Sequence, residues 1–157
     1  MSRGLAEYAD PNEPDDLSIQ PKVSVIILVH NALDYVKLCI NTLTEYTSNY
    51  ELIIVDNDSN IETKEYLKSI KCNEYTIVTN DENKGVSYGW NQGIKQAKYD
   101  YVCLLNSDTL LTPNWLYRLM RGFKYSQDVG MTGPTSNGGP TVISPQVVGE
   151  IDSDNIN

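Results

Sequence analysis

Cations are scarce in this chain: 12 lysines and arginines stand against 21 aspartates and glutamates, a formal net charge of -9. No basic stripe is available to neutralise a phosphate backbone, so nucleic acid is a poor candidate partner. Much of the acidity sits at the ends. Residues 1–21 hold five acids against Arg3, residues 150–157 hold three with no base, and the stretch between carries 13 acids and 11 bases. That middle stretch is close to neutral. Long apolar runs are missing too. The longest, Val23 to Val29, is too short to span a bilayer, and no apolar signal core precedes it, so no transmembrane segment is expected. Cysteine is limited to Cys39, Cys72 and Cys103, an odd number with no C-x-x-C pair, which argues against zinc and against a disulfide framework. Cys39 and Cys103 fall in apolar-patterned segments and read as small core residues, and a reducing, cytoplasmic compartment follows.

What is present is an alternation. Residues 1–21 contain Pro11, Pro14 and Pro21 among acids and read as an exposed lead-in. Val23 to Val29 is β-branched and apolar, as in a strand buried on both faces of a parallel sheet. Leu33, Val36, Ile40 and Leu43 then step as one stripe of an amphipathic helix. Glu51 to Asp56 is a second buried strand. Ser59-x-x-Glu62 matches a capping box, and Tyr66 and Ile70 continue that helix. Tyr75 to Val78 predicts a third strand, and Val86, Trp90, Ile94 and Ala97 a helix. Tyr101 to Leu105 predicts a fourth strand, and Thr112-Pro113 the start of a helix carrying Leu116, Leu119, Met120 and Phe123. Val129 to Thr132 is a candidate fifth strand. The fold class is α/β with a mostly parallel central sheet and right-handed crossovers. Beyond Gly133 the pattern fades into Gly138, Gly139, Pro140 and Pro145.

Open parallel sheets bind ligands beyond the carboxyl ends of their strands. Four successive strand ends carry Asn or Asp: His30-Asn31, Asp56 to Asp58, Asn80 to Gly85, and Asn106 to Asp108. A carboxylate at Asp108 suits a hard divalent ion sharing substrate phosphates, although Asn-Ser-Asp also makes a plain turn. Asp56 suits a ring N–H or a ribose hydroxyl, with a turn into Ser59 as the alternative. Gly85 suits a positive φ or a close backbone approach, and Asn91 is an amide at a helical position where propensity disfavours it. The lone histidine, His30, fits general base work or plain hydrogen bonding. Trp90 and Trp115 lie on core stripes, and Arg118 and Arg121 on a solvated face. Neither a Walker loop nor a dinucleotide glycine fingerprint occurs.

Taken together, Val23-Ser-Val-Ile-Ile-Leu-Val-His-Asn31, Glu51-Leu-Ile-Ile-Val-Asp-Asn-Asp-Ser59, Asn83-Lys-Gly85 with Trp90-Asn-Gln-Gly-Ile94, and Tyr101-Val-Cys-Leu-Leu-Asn-Ser-Asp108 resemble the family 2 glycosyltransferases of GT-A fold. The order and spacing match over about residues 22–135. The Asn-rich third segment followed by Leu-Leu-Asn-Ser-Asp is similar, more faintly, to the bacterial branch that includes rhamnosyltransferases. The resemblance implies a Rossmann-like nucleotide-binding domain over residues 22–149, with residues 1–21 as lead-in and 150–157 as a polar tail. It implies a nucleotide diphosphate-sugar donor and transfer with inversion to a hydroxyl of a glycan or lipid-linked acceptor, at the inner face of the membrane where that acceptor is lipid-borne. His30, Asn31, Asp56, Asn83, Gly85 and Asn106 would bind the nucleotide. Asp108 would bind Mg²⁺ or Mn²⁺.

The family motif at that last position is often Asp-x-Asp, and here Asn106 replaces the first acid. The family's general base lies well downstream of the metal motif, and no counterpart follows Asp108. The sequence therefore leads us to expect an incomplete domain, truncated at its C-terminus, with its catalytic base outside residues 1–157 or, less naturally, at Glu150 or Asp152. Self-association or attachment to further domains of a larger protein is expected. Two rivals stand beside this reading: a sugar nucleotidyltransferase, which would need a glycine-rich basic loop after the first strand, and an incomplete, non-catalytic nucleotide-binding module.

Overall fold

The structure, a computed structural model, describes residues 21–125 and 128–134. The lead-in up to residue 20, the stretch around Gly138 and Gly139, and the tail with Glu150 and Asp152 lie outside the described residues. The chain divides into two compact units, Asp16–Trp115 in one and Met1–Asp15 with Leu116–Asn157 in the other.

The Asp16–Trp115 unit runs β1 (Val23–Val29), α1 (Leu33–Tyr46), β2 (Tyr50–Asn57), α2 (Ile61–Ser69), β3 (Tyr75–Asn80), α3 (Val86–Ile94) and β4 (Tyr101–Asn106). The four strands form one sheet in the order β3-β2-β1-β4, every pair parallel. Two steps move the chain one way, from β1 to β2 to β3. The third carries it back across the sheet to the far side of β1. With right-handed crossovers, α1 and α2 then cover one face and α3 the other. The reversal lies between β1 and β4, where ligand crevices open in such sheets.

Both faces of the central strands are covered, which is why their sequences are continuous apolar runs. Val25, Ile27, Leu52 and Ile54 are fully buried on one face; Ile26, Ile53 and Val55 are fully buried on the other. Each such side chain contributes about 1.5–3 kcal/mol by leaving water. The α1 stripe buries Val36, Ile40 and Leu43 as its spacing predicts, with Cys39 beside them. Burial pushes the Cys39 and Cys103 thiols up to about 11; Cys39 lies in the core as expected, whereas Cys103 is half-buried.

The α3 stripe differs from the sequence prediction. Val86 is 63% exposed and Ile94 42%, while Gly89 and Gly93 are buried. Two glycines strip the side chains from one flank of the helix, so its backbone settles directly on the sheet. A Cβ on Gly93 would stand 2.3 Å from Ile26 Cγ2; one on Gly89 would stand 2.3 Å from Leu28 Cδ1. Trp90 and Ala97 pack beside this contact against Ile26, Ile53 and Val55.

Two polar clusters close the amino end of the sheet. Glu51, 1% exposed, accepts from Ser24 Oγ at 2.6 Å and from the Lys98 N–H at 2.7 Å, and pairs with Lys98 Nζ at 3.3 Å. Nearby, Glu74 accepts from Lys22 and from the Tyr99 hydroxyl. The Lys22 ammonium beside it holds the Glu74 carboxyl below its usual range.

Three local expectations are corrected. Asn60, not Ser59, caps α2: its Oδ1 accepts from the Thr63 N–H at 2.9 Å, while Ser59 Oγ accepts from the Asn31 N–H. Pro113 does not open a helix. The Trp115 N–H bonds the Thr112 carbonyl in a turn, and the following helix, α4, spans Trp115–Tyr125. Val129 to Thr132 forms no strand; the run is too short to hold an extended segment without a paired ladder.

The glycine contacts yield a contrast. Gly93→Ala should destabilise by about 1–3 kcal/mol, because Ile26 is β-branched, fully buried and unable to swing away. Gly89→Ala meets only the end of a flexible leucine and gains up to about 1 kcal/mol of helix propensity, so its net cost should be smaller. Urea unfolding of the two variants measures the difference.

Candidate functional site

At the carboxyl end of the sheet the backbone departs from ordinary geometry. Asn31, Ala32 and Asp58 have φ of 61°, 57° and 68°, and Gly85 has 80°. A left-handed alanine is costly, about 1–2 kcal/mol, and such strain persists only where surrounding contacts hold it. Here they do. The Asn31 N–H donates to Ser59 Oγ at 2.9 Å, and Asn31 Oδ1 accepts from the Asn60 N–H at 2.7 Å. The loop after β1 is thereby stapled to the loop after β2.

His30 joins the same staple. Its Nδ1 lies 2.8 Å from the Asn57 carbonyl, an atom that only accepts, so Nδ1 carries the proton. Nε2 is then the acceptor, and Asn31 Nδ2 donates to it at 3.3 Å. With both nitrogens engaged, His30 is a hydrogen-bonding residue in this arrangement.

Asp56 is 1% exposed. Its Oδ1 accepts from the Ser59 N–H at 2.9 Å, which is the turn its neighbours suggest. Its Oδ2 is buried without a hydrogen-bond partner. A buried oxygen left unpaired is uncommon and costly, and it is a place where a donor can be accommodated. Water does not reach Oδ2 in this conformation, so an incoming donor must displace the surrounding loop.

An assembly of four side-chain amides centres on Asn57, which the sequence offers either as an acceptor at a strand end or as part of a turn. Asn57, 2% exposed, is the last residue of β2 and pairs in register with Asn80, the last of β3. Asn57 Oδ1 accepts from the Lys84 N–H at 3.0 Å and from Asn80 Nδ2 at 3.1 Å. Its Nδ2 donates to Asn83 Oδ1 at 2.8 Å and to the Gly85 carbonyl at 3.5 Å. Asn80 in turn exchanges two hydrogen bonds with Gln92 of α3, at 2.7 and 2.9 Å. The amides of Gln92, Asn80, Asn57 and Asn83 form one chain, and it fixes the loop from Asn80 to Gly85. Asn91, singled out for its amide, is exposed; the neighbouring Gln92 makes the contacts. The signal that points to Asn57 and Asn80 is the repetition of Asn at the last position of three strands, with Asn106 the third.

Asn106 and Asp108 are exposed at the end of β4, on the other side of β1 from the amide chain. Cys39 Sγ donates to the Asn106 carbonyl at 3.5 Å, and the Thr109 N–H closes a turn onto the same oxygen. No hydrogen bond among the described residues joins the Asn106 or Asp108 side chains to the other strand ends. Among the described residues no group of three His, Cys, Asp or Glu gathers to hold a metal. The donors on offer are oxygens from Asp108 with Asn106 nearby, a sparse, hard set that fits Mg²⁺ or Mn²⁺ only when phosphate and water complete the shell. Trp115 donates from Nε1 to Thr47 Oγ1 at 2.8 Å, a structural tie. Arg118 is exposed and Arg121 half-buried on α4.

The hub makes a stability prediction. Asn57→Ala leaves the Lys84 N–H and the Asn80 amide short of partners, and should cost about 1–3 kcal/mol in urea unfolding. A loss under about 0.5 kcal/mol would mean that water replaces the amide without penalty.

The comparisons with known proteins agree with this architecture. Residues 24–149 match the family model described as glycosyl transferase family 2. The poly-beta-1,6-N-acetyl-D-glucosamine synthase of Staphylococcus aureus strain MSSA476 is 31% identical over 123 residues, which are 76% of this chain and 30% of that protein. Glycosyltransferase AglE of Haloferax volcanii is 35% identical over 106 residues, 64% of this chain and 35% of that protein. The chain thus spans about a third of the length of these curated relatives. Among solved structures, the mannosyltransferase PcManGT of Pyrobaculum calidifontis, in complex with GDP-Man and Mn²⁺, superposes with a TM-score of 0.61 at 18% identity, over 76% of this chain and 37% of that one. That likeness establishes the fold, GT-A. With the match to residues 24–149, the chain belongs to glycosyl transferase family 2.

Proposed function

We propose that this chain is the donor-binding part of a glycosyltransferase that moves a sugar from a nucleotide diphosphate to an acceptor hydroxyl, with inversion, in the synthesis of a polysaccharide or glycoconjugate. The observation that carries the reading is the gathering of His30, Asn31, Asp56, Asn57 and the Asn83–Gly85 loop at the carboxyl end of a parallel sheet, beside the topological reversal that exposes Asp108. Relatives named as poly-beta-1,6-N-acetyl-D-glucosamine synthases, and a neighbour whose structure holds GDP-Man with Mn²⁺, support it. No glycine-rich basic loop follows β1, the feature a nucleotidyltransferase would need, and His30-Asn31-Ala32 stands there instead.

In this reading Asp56 Oδ2 accepts from a ring N–H of the base. The loop at His30 and Asn31 flanks the ring, and Asn106 hydrogen bonds the ribose. Asp108, with phosphate oxygens and water, would hold Mg²⁺ or Mn²⁺, which offsets the negative charge of the departing diphosphate when bound. The acceptor is a glycan or lipid-linked hydroxyl, which would set the work at the cytoplasmic face of a membrane. Among the described residues no helix is long and apolar enough to cross one. The faint similarity to rhamnosyltransferases rests on Asn83 to Gly85 with Trp90 to Ile94, followed by Leu104 to Asp108.

Two variants separate the roles. Asp108→Asn should abolish the Mn²⁺-dependent part of UDP or GDP binding in calorimetry and leave the metal-free part unchanged. Asp56→Asn keeps the oxygen that caps the Ser59 N–H but presents a donor where the base needs an acceptor. It should weaken nucleoside and nucleotide alike, by about tenfold or more, with or without metal. Loss of only the metal-dependent component in Asp56→Asn would move that residue to the diphosphate.

A further inference from the structure

The two edges of the sheet are finished differently. β3 exposes only Thr79, whereas β4 exposes Val102 (40%) and Leu104 (49%). No described strand pairs with the outer side of β4, and Tyr101–Asn106 has none of the charges, prolines or glycines that keep an edge from pairing. Val102 and Leu104 lie in register with Ser24 and Ile26, so they share the sheet face on which α3 rests. α3 packs over β1 and β2, which leaves those two side chains in water. The helix borders this gap with an apolar wall. Gly89 and Gly93 mark its contact with the sheet, and Gln92 reaches Asn80 of β3 from one flank. At 3.6 residues per turn, Gln92 stands roughly 80° to one side of the line through the glycines and Trp90 roughly 80° to the other. In the order β3-β2-β1-β4 that second flank turns toward β4. It carries half-buried Trp90 with exposed Val86 and Ile94, the part of the α3 stripe that the core does not use. Val102 and Leu104 are thus the floor of a groove, and Trp90 and Ile94 are its wall.

We infer that this groove is an interface with a second copy of the chain, in a two-fold dimer that seats α3 of each copy over β4 of the other. Three observations select that occupant. The surface is self-complementary: an apolar ridge, Val86 and Ile94, runs beside an apolar floor, and a two-fold rotation lays each ridge on the other copy's floor. Charge does not oppose the contact. The groove residues are uncharged, and residues 22–149 hold 13 acids and 11 bases, so two copies meet there with little net repulsion. The opposite face of β4 offers no such floor, because Tyr101 and Cys103 are half-buried and Leu105 is buried. The inference is independent of the donor-binding reading. It gives the self-association expected from the sequence a place in the fold.

Sedimentation equilibrium on residues 1–157 reads the association directly. The parent chain should be a dimer at about 100 µM, and its melting temperature should rise with protein concentration. Leu104→Lys sets an ammonium on the groove floor and makes the chain less negative, so added net repulsion cannot explain a loss of association. Leu104 is exposed in the single copy, so the variant should still melt cooperatively. Its dimer should weaken by about tenfold or more, as should that of Ile94→Lys on the wall. Ile61→Lys, on α2 over the opposite face and 76% exposed, should dimerise like the parent. Without any variant, diluting the parent should speed hydrogen exchange at Tyr101–Asn106 and leave β3 unchanged. A parent chain that stays monomeric overturns the inference. So does a dimer that survives both groove variants, assembly beyond a dimer, or exchange in β4 that ignores dilution. An equal loss in Ile61→Lys overturns it too, because the copies would then adhere without a specific face.

Discussion

Gly93 lets the backbone of α3 come down onto Ile26 and Val55, and the geometry of the loops at the carboxyl end of the sheet follows from that approach. A helix held further from the sheet by a side chain at that position would carry Gln92 away from Asn80. As it stands, Gln92 reaches Asn80, Asn80 reaches Asn57, and Asn57 fixes Asn83 and the backbone of Lys84 and Gly85. Packing on the apolar side thus sets hydrogen-bond polarity at the carboxyl end of the sheet. The link is short, and it passes through residues that are buried or half-buried, where a misplaced amide would be expensive.

The two ends of the sheet divide the work. At the amino end, Glu51 and Glu74 gather hydroxyl, ammonium and backbone donors into satisfied clusters that serve stability. The carboxyl end holds three non-glycine residues in the left-handed region, and an aspartate oxygen without a partner. Free energy is stored there, and a ligand that supplies the missing donor would recover part of it. Three of the five left-handed residues other than glycine among the described residues fall on the loops after β1 and β2; Asn49, before β2, and Asn114, before α4, are the others.

The strands were legible because they are buried on both faces. Val23 to Val29 agrees residue for residue, and the other three extend one or two residues beyond the sequence reading, each ending on asparagine. Those last residues look like loop chemistry in a linear sequence and prove to be ladder positions. The stripe of α3 misled because an apolar period was read and the two glycines beside it were not. Glycine carries no hydrophobic signal, yet it marks the face that packs. Asp56 and Asn83 stand out in the sequence from their place after strands, and the structure sets both at the carboxyl end of the sheet. The part played by Asn57 does not, because it depends on a partner 23 residues on and another 26 residues on, a juxtaposition that only the sheet creates.

The proposed function makes the carboxyl end of this sheet a site for a nucleotide diphosphate, in which the amide chain holds the loop after β3 in place and Asp56 Oδ2 is uncovered on binding. Titrating UDP or GDP with Mg²⁺, the diamagnetic ion, into ¹⁵N-labelled residues 1–157 and mapping the perturbed backbone amides tests it most directly. The account predicts perturbations confined to the loops after the four strands, at residues 30–32, 56–60, 80–86 and 106–109, with Lys22, Glu74 and Tyr99 at the opposite end unmoved. Perturbations centred on that opposite end, or none with any nucleotide diphosphate, would contradict it.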